Sequence, residues 1–534
     1  VRTVLGRLAL VATLAAGCAM PLDPPPAGEP DGGGPPRTGG VFRLAEDQDP
    51  RTLDPALGYD SVSWTFEQMI FSTLVDYDEQ TSIVPAAADR WEMSPDAREF
   101  RFQLRSDVRF STGRPATSAD VRYSIERVLR PELHSGGAAF FTGLEGAGDF
   151  VAGQAKTVTG IRTPAPDRVE FRLDAPDVLF LHKLTMPFAG IVDREAVERI
   201  GDKEFARRPV GTGPFVLQEW VYGQRMRLAR NPHYFKRGLP YLDGVEATIG
   251  VSDQLEWFKY QRGEIDVAGI PMAEFARVTA DARYRPLVQR KTTLRTHYLG
   301  LNCELPPFDR VEVRQAMNLA IDKVRVVELM AGRGVAARSI LPPDMPGHDR
   351  DQVSYPYDPA AAGERIAAAG FHDRIPVTLW ATRDDTVVRI AQSVQRDLKE
   401  VGIDLAIKPV DFPALIEAVR NPKLVPVFLL GWEADFPDPS NFLNVLLHSR
   451  SRGTNNNTFY SNPDVDRLLD QADAAIEPAR RLTLFHAAEA QIMRDAPWVP
   501  LFHPVAFGVR HPRVRDNRLH PLRPPRLESV WVAW

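Results

Sequence analysis

Cysteine is nearly missing from this chain: there are two in 534 residues, Cys18 and Cys303, far apart in sequence and in setting. No disulfide framework and no cysteine metal site can be built from them. Cys303 closes the strand-like run Tyr298-Leu299-Gly300-Leu301-Asn302-Cys303 and reads as a small core residue. The eleven histidines are scattered without the spacing of metal ligands, so no metal is expected. Neither sign of charge dominates. Lys+Arg number 65 against 70 Asp+Glu, a formal net charge of -5, which gives no basis for nucleic acid as the main partner. On that reading the basic cluster from Arg510 to Arg526 is solvated surface. Catalytic signatures are missing as well: no Gly-x-Ser-x-Gly elbow, no Ser-x-x-Lys, no His-Glu-x-x-His and no Walker lysine. Gly211-Thr212-Gly213 is followed at once by Pro214 and lacks a third glycine, so it reads as a tight turn and not a phosphate loop. Paired carboxylates occur at Asp435/Asp438 and Asp384/Asp385, whereas a glycosidase acid and nucleophile would normally come from separate strand ends. The chain therefore reads as a protein without enzymatic activity and without a cofactor.

What is present is ordinary globular material, 44% apolar and 25% charged, in a length that predicts two to four domains. The N-terminal apolar run, Leu8 to Ala16, follows Arg2 and Arg7 and is too short to span a bilayer, which needs about 20 residues. It ends in Leu14-Ala15-Ala16-Gly17-Cys18, which resembles a bacterial lipobox, with Ala15 where leucine is usual. That resemblance implies a signal peptide over 1–17, cleavage before Cys18 and lipidation of Cys18. Residues 18–40 are rich in proline and glycine and predict a semi-extended tether holding a folded body away from a membrane surface.

The body begins with the alternating strand Val41 to Ala45, then Thr52-Leu53-Asp54-Pro55 and a helix carrying Trp64, Met69 and Ile70. Glu99 to Arg105 and Val169 to Leu173 alternate strictly and predict half-buried strands of one small sheet. Between them, Thr117 or Ser118 caps a helix with Val121, Ile125, Val128 and Leu129 on one face and Arg122, Arg127 and Arg130 on the other. Residues from about 87 to 204 thus read as an α+β insertion in a larger lobe. Near residue 294 strands begin to alternate with well-formed helices, the pattern of an α/β lobe. After residue 498 strand-like, proline-rich sequence returns, which predicts that the chain crosses back to finish the first lobe. The expected division is 41–293 plus 498–534 for the first lobe and 294–497 for the second.

The stretch Gly431-Trp432-Glu433-Ala434-Asp435-Phe436-Pro437-Asp438-Pro439 stands out in that second part. Val425 to Leu430 before it reads as a buried strand, and Ser440 to Leu447 after it has helical apolar spacing. Ligands of α/β sheets collect at the carboxyl ends of strands. Asp438, before Pro439, fits a helix cap. Asp435 has no such local employment and is the candidate for a partner outside the chain.

Six motifs in order resemble the extracellular solute-binding proteins of bacterial peptide and nickel importers, family 5 of the ABC-transporter binding proteins. They are Thr52-Leu53-Asp54-Pro55, Arg109 to Pro115 leading to Ser118-Ala119-Asp120-Val121, Pro209 to Phe215, Asn231-Pro232-His233-Tyr234, Val313 to Asp322, and Gly431 to Pro439. The likeness covers nearly all of 41–534. It implies an α/β, two-lobe periplasmic-binding-protein fold of type II, cluster C-like, with the α+β subdomain inserted in lobe I. It implies a monomer, lipid-anchored outside the cytoplasm, that captures a peptide by hinge closure and presents it to the transmembrane subunits of an ABC permease. A surface lipoprotein of the same fold that senses a peptide or binds another solute is the alternative. In the family's peptide binders the aspartate matching Asp435 pairs with the ligand's α-amino group. Trp432 and the Gly431 backbone would lie along the peptide, and Phe436 and Tyr59 join them as ligand-binding candidates. Arg383, after the strand Val377 to Ala381, is the candidate for the ligand carboxylate. No histidine motif fits nickel.

Overall fold

Phe42 and Leu44 point one way from the strand Val41–Glu46, and their burial starts the first lobe's core. This computed structural model describes residues 23–26, 34–522, 524 and 526–533; the expected signal segment and Cys18 lie outside the described residues. The first strand pairs in parallel with Gly244–Ile249, to which Arg225–Arg230 and Phe215–Val221 add in antiparallel fashion. Helix Ser61–Ile70 lays Phe66, Met69 and Ile70 into the same core. Gly211 and Gly213 pass against the end of this helix: a Cβ on either would fall 2.2 and 2.5 Å from Ile70 backbone atoms. Close approach, not phosphate binding, explains both glycines.

The two alternating segments do form one sheet. Glu99–Leu104 and Arg168–Arg172 pair antiparallel with Phe100 opposite Phe171 and Phe102 opposite Val169, flanked by Ala88–Met93 and Ile161–Ala165. Helix Ser118–Leu129 covers it, started by a reciprocal capping box between Thr117 and Asp120. Further along, Val192, Ala196, Val197 and Phe205 pack into the first lobe's core rather than under this sheet.

In the second lobe, Ile375–Thr382 and Ile403–Val410 run parallel around helix Asp385–Glu400, whose N-cap is Asp384. Val427–Glu433 runs parallel to Ile375–Thr382 and antiparallel to Arg295–Leu301. The long strand Trp498–Arg510 is shared. Its Trp498–Phe502 end pairs with Arg295–Leu301, and its Val505–Arg510 end pairs with Val288–Thr292 and Val267–Gly269. The return to the first part of the chain is therefore made inside one strand, with its first residues still in the second lobe's sheet.

Charged side chains are buried where the sequence carries no sign of it. Arg127, on the face of its helix opposite the apolar one, has no exposed side-chain surface, and neither does its partner Asp54. Both guanidinium ends meet the Asp54 carboxylate at 2.5 Å, and Asp202 adds a contact at 2.6 Å. The Arg510 to Arg526 cluster is not simply solvated: Arg513 pairs with the fully buried Asp266 at 2.8 Å, and Arg526 pairs with Glu528 and Asp76. Breaking one side of a buried pair strands the other charge, at a cost of about 3–5 kcal/mol. Asp54→Ala is expected to lose about that much stability in urea unfolding, whereas the double variant Asp54→Leu/Arg127→Met recovers most of it. Equal losses in the two variants would show that the ion pair is not what the fold uses.

Candidate functional site

Val427 to Leu430 are buried on both faces of the central sheet, as their uninterrupted apolar run predicts. The strand does not stop there. It continues through Gly431, Trp432 and Glu433, opposite His297, Thr296 and Arg295, so the turn begins at Ala434. Gly431 leaves room for its cross-strand neighbour: a Cβ would stand 3.0 Å from the His297 ring, which stacks on Phe502 at 4.6 Å.

The two aspartates of the turn have different partners. Asp438 accepts the backbone N–H and the hydroxyl of Ser440 at 2.9 and 2.6 Å, at the start of helix Ser440–Leu447. Its carboxylate also holds the buried Arg481 at 2.8 and 3.3 Å. Pro439, not Asp438, holds the N-cap position, so the expected cap becomes a bond to the first helical residue, joined by a buried ion pair that sequence spacing does not reveal. Asp435 Oδ1 accepts from the Tyr59 hydroxyl at 3.1 Å, and Oδ2 accepts from the Asn441 amide at 3.3 Å. Asn441 Oδ1 in turn accepts the Asp435 backbone N–H at 3.2 Å and the Trp432 indole N–H at 2.9 Å. One asparagine therefore fixes both the carboxylate and the indole.

Tyr59 belongs to the first lobe, so its bond to Asp435 crosses between lobes. The ring stacks on Trp64 at 5.7 Å and meets Phe188 edge-on at 5.2 Å. Across the same gap, His182 stacks on Phe436 at 6.2 Å. Burial pushes the Asp435 carboxyl above its ordinary range, and the bonds from Asn441 and Tyr59 oppose that rise. Burial also pushes the Tyr59 hydroxyl up, reinforced by the neighbouring Asp435 charge and their hydrogen bond. Among the described residues no basic side chain forms an ion pair with Asp435.

These groups line a cavity of about 600 Å³ between the lobes, with Tyr59 and Phe140 on one side and Trp432, Asp435, Phe436 and Asn441 on the other. That volume lies within the range of small-molecule sites. Four carboxylates, Asp174, Asp177, Asp435 and Asp473, line it against Lys183 and Arg481. Both cations are engaged, Lys183 with Asp177 at 2.6 Å and Arg481 with Asp438. A smaller cavity of about 310 Å³ lies against Phe42, Glu46 and Glu256 and takes nothing from the Gly431 to Pro439 stretch. Among the described residues there is no group of three or more metal-ligating side chains.

Of the candidates read from sequence, the structure brings together Tyr59, Trp432, Asp435 and Phe436. Gly431 is not among the cavity-lining residues, and neither is Arg383. The Arg383 side chain is 66% exposed and pairs with Asp411, at the end of the neighbouring parallel strand, at 3.4 Å. Asn441 and Phe140 were missed. Asn441 could have been noticed as a polar residue in the first turn of an apolar helix; Phe140 carried no signal beyond an Ala138-Ala139-Phe140-Phe141 run.

The family described as bacterial extracellular solute-binding proteins, family 5 Middle, matches residues 82–454, more than half of the chain. "Heme-binding protein A" of Haemophilus influenzae is 28% identical over 490 residues, 87% of each chain. "Probable di/tripeptide-binding protein 5" of Pseudomonas aeruginosa is 28% identical over 514 residues, 91% of this chain and 94% of that one. Among solved structures, "Clavulanic acid biosynthesis oligopeptide binding protein 2" superimposes with a TM-score of 0.87 at 27% identity, covering 96% of this chain and 99% of that one. The Helicobacter pylori periplasmic binding protein DppA, solved with the peptide STSA, gives 0.74 at 27% identity, covering 93% and 98%. With the two-lobed α/β architecture and the cavity between the lobes, these matches establish that the chain belongs to the bacterial extracellular solute-binding proteins of family 5, binding proteins of ABC transporters rather than enzymes.

Proposed function

We propose that this protein captures a short peptide, or another solute with a free amine, between its lobes and delivers it to a membrane permease, with Asp435 as the anchor for the ligand's ammonium group. The observation that carries the reading is the half-buried Asp435 carboxylate, which faces the interlobe cavity without a cationic partner among the described residues. An ammonium entering that cavity loses water, and a charge-assisted bond to the carboxylate offsets the loss. Trp432, Phe436 and Tyr59 supply apolar and aromatic wall, and hinge closure encloses the ligand in the cavity that the Tyr59–Asp435 bond already spans. The peptide names of the Pseudomonas and Helicobacter relatives support the ligand class. The sequence around Cys18 supports lipidation there, which would hold the body at the outer face of a membrane.

Isothermal calorimetry with trialanine and its N-acetylated form tests the anchor. Trialanine is expected to bind and the acetylated form to bind poorly. Asp435→Ala is expected to weaken trialanine while leaving the melting temperature of the ligand-free protein nearly unchanged; equal affinity in mutant and wild type removes Asp435 from the role. Because the ammonium needs the ionised carboxylate, trialanine affinity is expected to fall as pH drops through the raised Asp435 value. Tyr59→Phe deletes a donor to the ionised form, so this acid limb moves to higher pH. An acid limb that stays in place or moves lower contradicts that assignment. Cys18→Ser should release the expressed protein from the membrane fraction into the soluble one.

A further inference from the structure

Glu67 is a buried carboxyl group that the proposed mechanism does not use. It lies on helix Ser61–Ile70 with 1% of its surface exposed, and neither carboxyl oxygen has a hydrogen-bond partner among the described residues. The carboxyl lies directly beneath the turn that carries Tyr59. A Cβ built on Gly58 would fall 2.1 Å from Glu67 Oε1 and 2.7 Å from the carboxyl carbon. The φ of Gly58 lies outside the left-handed region, so what a side chain would meet there is the Glu67 carboxyl and not a backbone restriction. The same turn is held by the Trp64 indole, which donates to the Gly58 carbonyl at 2.9 Å and stacks on Tyr59. Gly58 thus meets the Glu67 carboxyl at its α-carbon and the Trp64 indole at its carbonyl.

We propose that Glu67 is a positioning residue of the ligand-binding site: its carboxyl group, packed under Gly58, sets the height of the Gly58–Tyr59 turn from which the Tyr59 hydroxyl reaches Asp435. The inference rests on the reading of Asp435 as the ligand anchor. Glu67 performs this role as a neutral acid. An ionised carboxylate with no donors, beside Asp54 and Asp60, is costly, and burial with those two neighbours holds the group well above the usual carboxylate range. The charged groups around it are already engaged. Asp54 pairs with Arg127, and Asp60 accepts from Ser63 at 2.9 and 2.8 Å. Across the cavity of about 50 Å³ beside Glu67, Lys236 pairs with Glu528 at 2.6 Å, and Arg526 pairs with Glu528 and Asp76.

A double-mutant cycle between Gly58 and Glu67, read by trialanine affinity, tests this. Gly58→Ala in the wild-type background is expected to weaken trialanine about tenfold, within the range of couplings between touching residues. In the Glu67→Ala background the added methyl enters vacated space, so Gly58→Ala is expected to cost no further affinity. The conservative variant Glu67→Gln, neutral and of the same shape, should bind better than Glu67→Ala. The indole N–H resonance of Trp64, assigned with Trp64→Phe, gives a readout without ligand: Gly58→Ala should shift it, and Glu67→Ala should abolish that shift. Equal Gly58→Ala effects in the two backgrounds, by affinity or by the Trp64 resonance, overturn the positioning role, as does a Glu67→Gln no better than Glu67→Ala. Trialanine that fails to bind wild type counts against the peptide reading instead, and the Trp64 resonance then decides the role of Glu67 alone.

Discussion

Burying a charge pair with no exposed surface on either side is favourable only when the geometry is good enough to offset two desolvations. Arg127 and Asp54 meet that condition with a bidentate contact, the strongest form of this bond. The consequence reaches the ligand cavity. Asp54 Oδ1 also accepts the Ala56 N–H at 3.1 Å, and the Asp54 carbonyl accepts from Leu57 and Gly58 at 2.9 and 3.0 Å. The chain from Asp54 to Gly58 is wound around a single residue whose position is pinned by the helix behind it. Tyr59 emerges from that turn. The sequence motif Thr52-Leu53-Asp54-Pro55 therefore acts at a distance: it touches nothing in the cavity and fixes what one wall presents.

The opposite wall divides its labour by cation supply. Asp435 and Asp438 sit on the same short turn, but Arg481 reaches only the second. A carboxylate with a buried guanidinium is neutralised and becomes architecture, here the start of helix Ser440–Leu447. A carboxylate held by an amide and a phenol keeps its charge uncompensated, which is why burial can raise its pKa. Asn441 makes this arrangement rigid by binding Asp435 through both its backbone and its side chain.

Elements whose burial imposes a period were legible in the sequence. The small sheet showed itself in Phe100, Phe102 and Leu104, and its covering helix in Val121, Ile125 and Val128, because each segment meets one dry face. What stayed hidden depends on segments far away in the chain. Arg127 faces away from that sheet, and only the folded structure brings Asp54 to cover it. Gly431 looked like the end of a strand, yet the strand continues, with the His297 ring across the ladder close to where a side chain would stand. In the site itself, Asp435, Trp432 and Phe436 could be found because they lie together on one stretch. Asn441 and Phe140 could not, because nothing in their local sequence says what lies opposite. Arg383 shows the converse case: its place at a strand end could be read from the sequence, but its pairing with Asp411, outside the lining of the cavity, could not.

The Tyr59 contact also bears on how a ligand could favour closure. A ligand shifts a conformational equilibrium only by interacting better with one form than with the other. The donor from the first lobe to Asp435 is a phenol, which carries no charge, whereas an ammonium would bring a hydrogen bond and the opposite charge together. The phenol satisfies one oxygen of the carboxylate without balancing its charge. The contact between lobes is therefore incomplete electrostatically while being complete in shape, with Trp64 and Phe188 fixing the Tyr59 ring and Asn441 fixing Asp435. In the proposed mechanism a ligand ammonium supplies the missing charge at a site already organised to receive it, so little of its binding energy goes into ordering side chains. Preorganisation of both walls, by Asp54 and Glu67 on one side and Asn441 on the other, is what leaves that energy available for holding the lobes together.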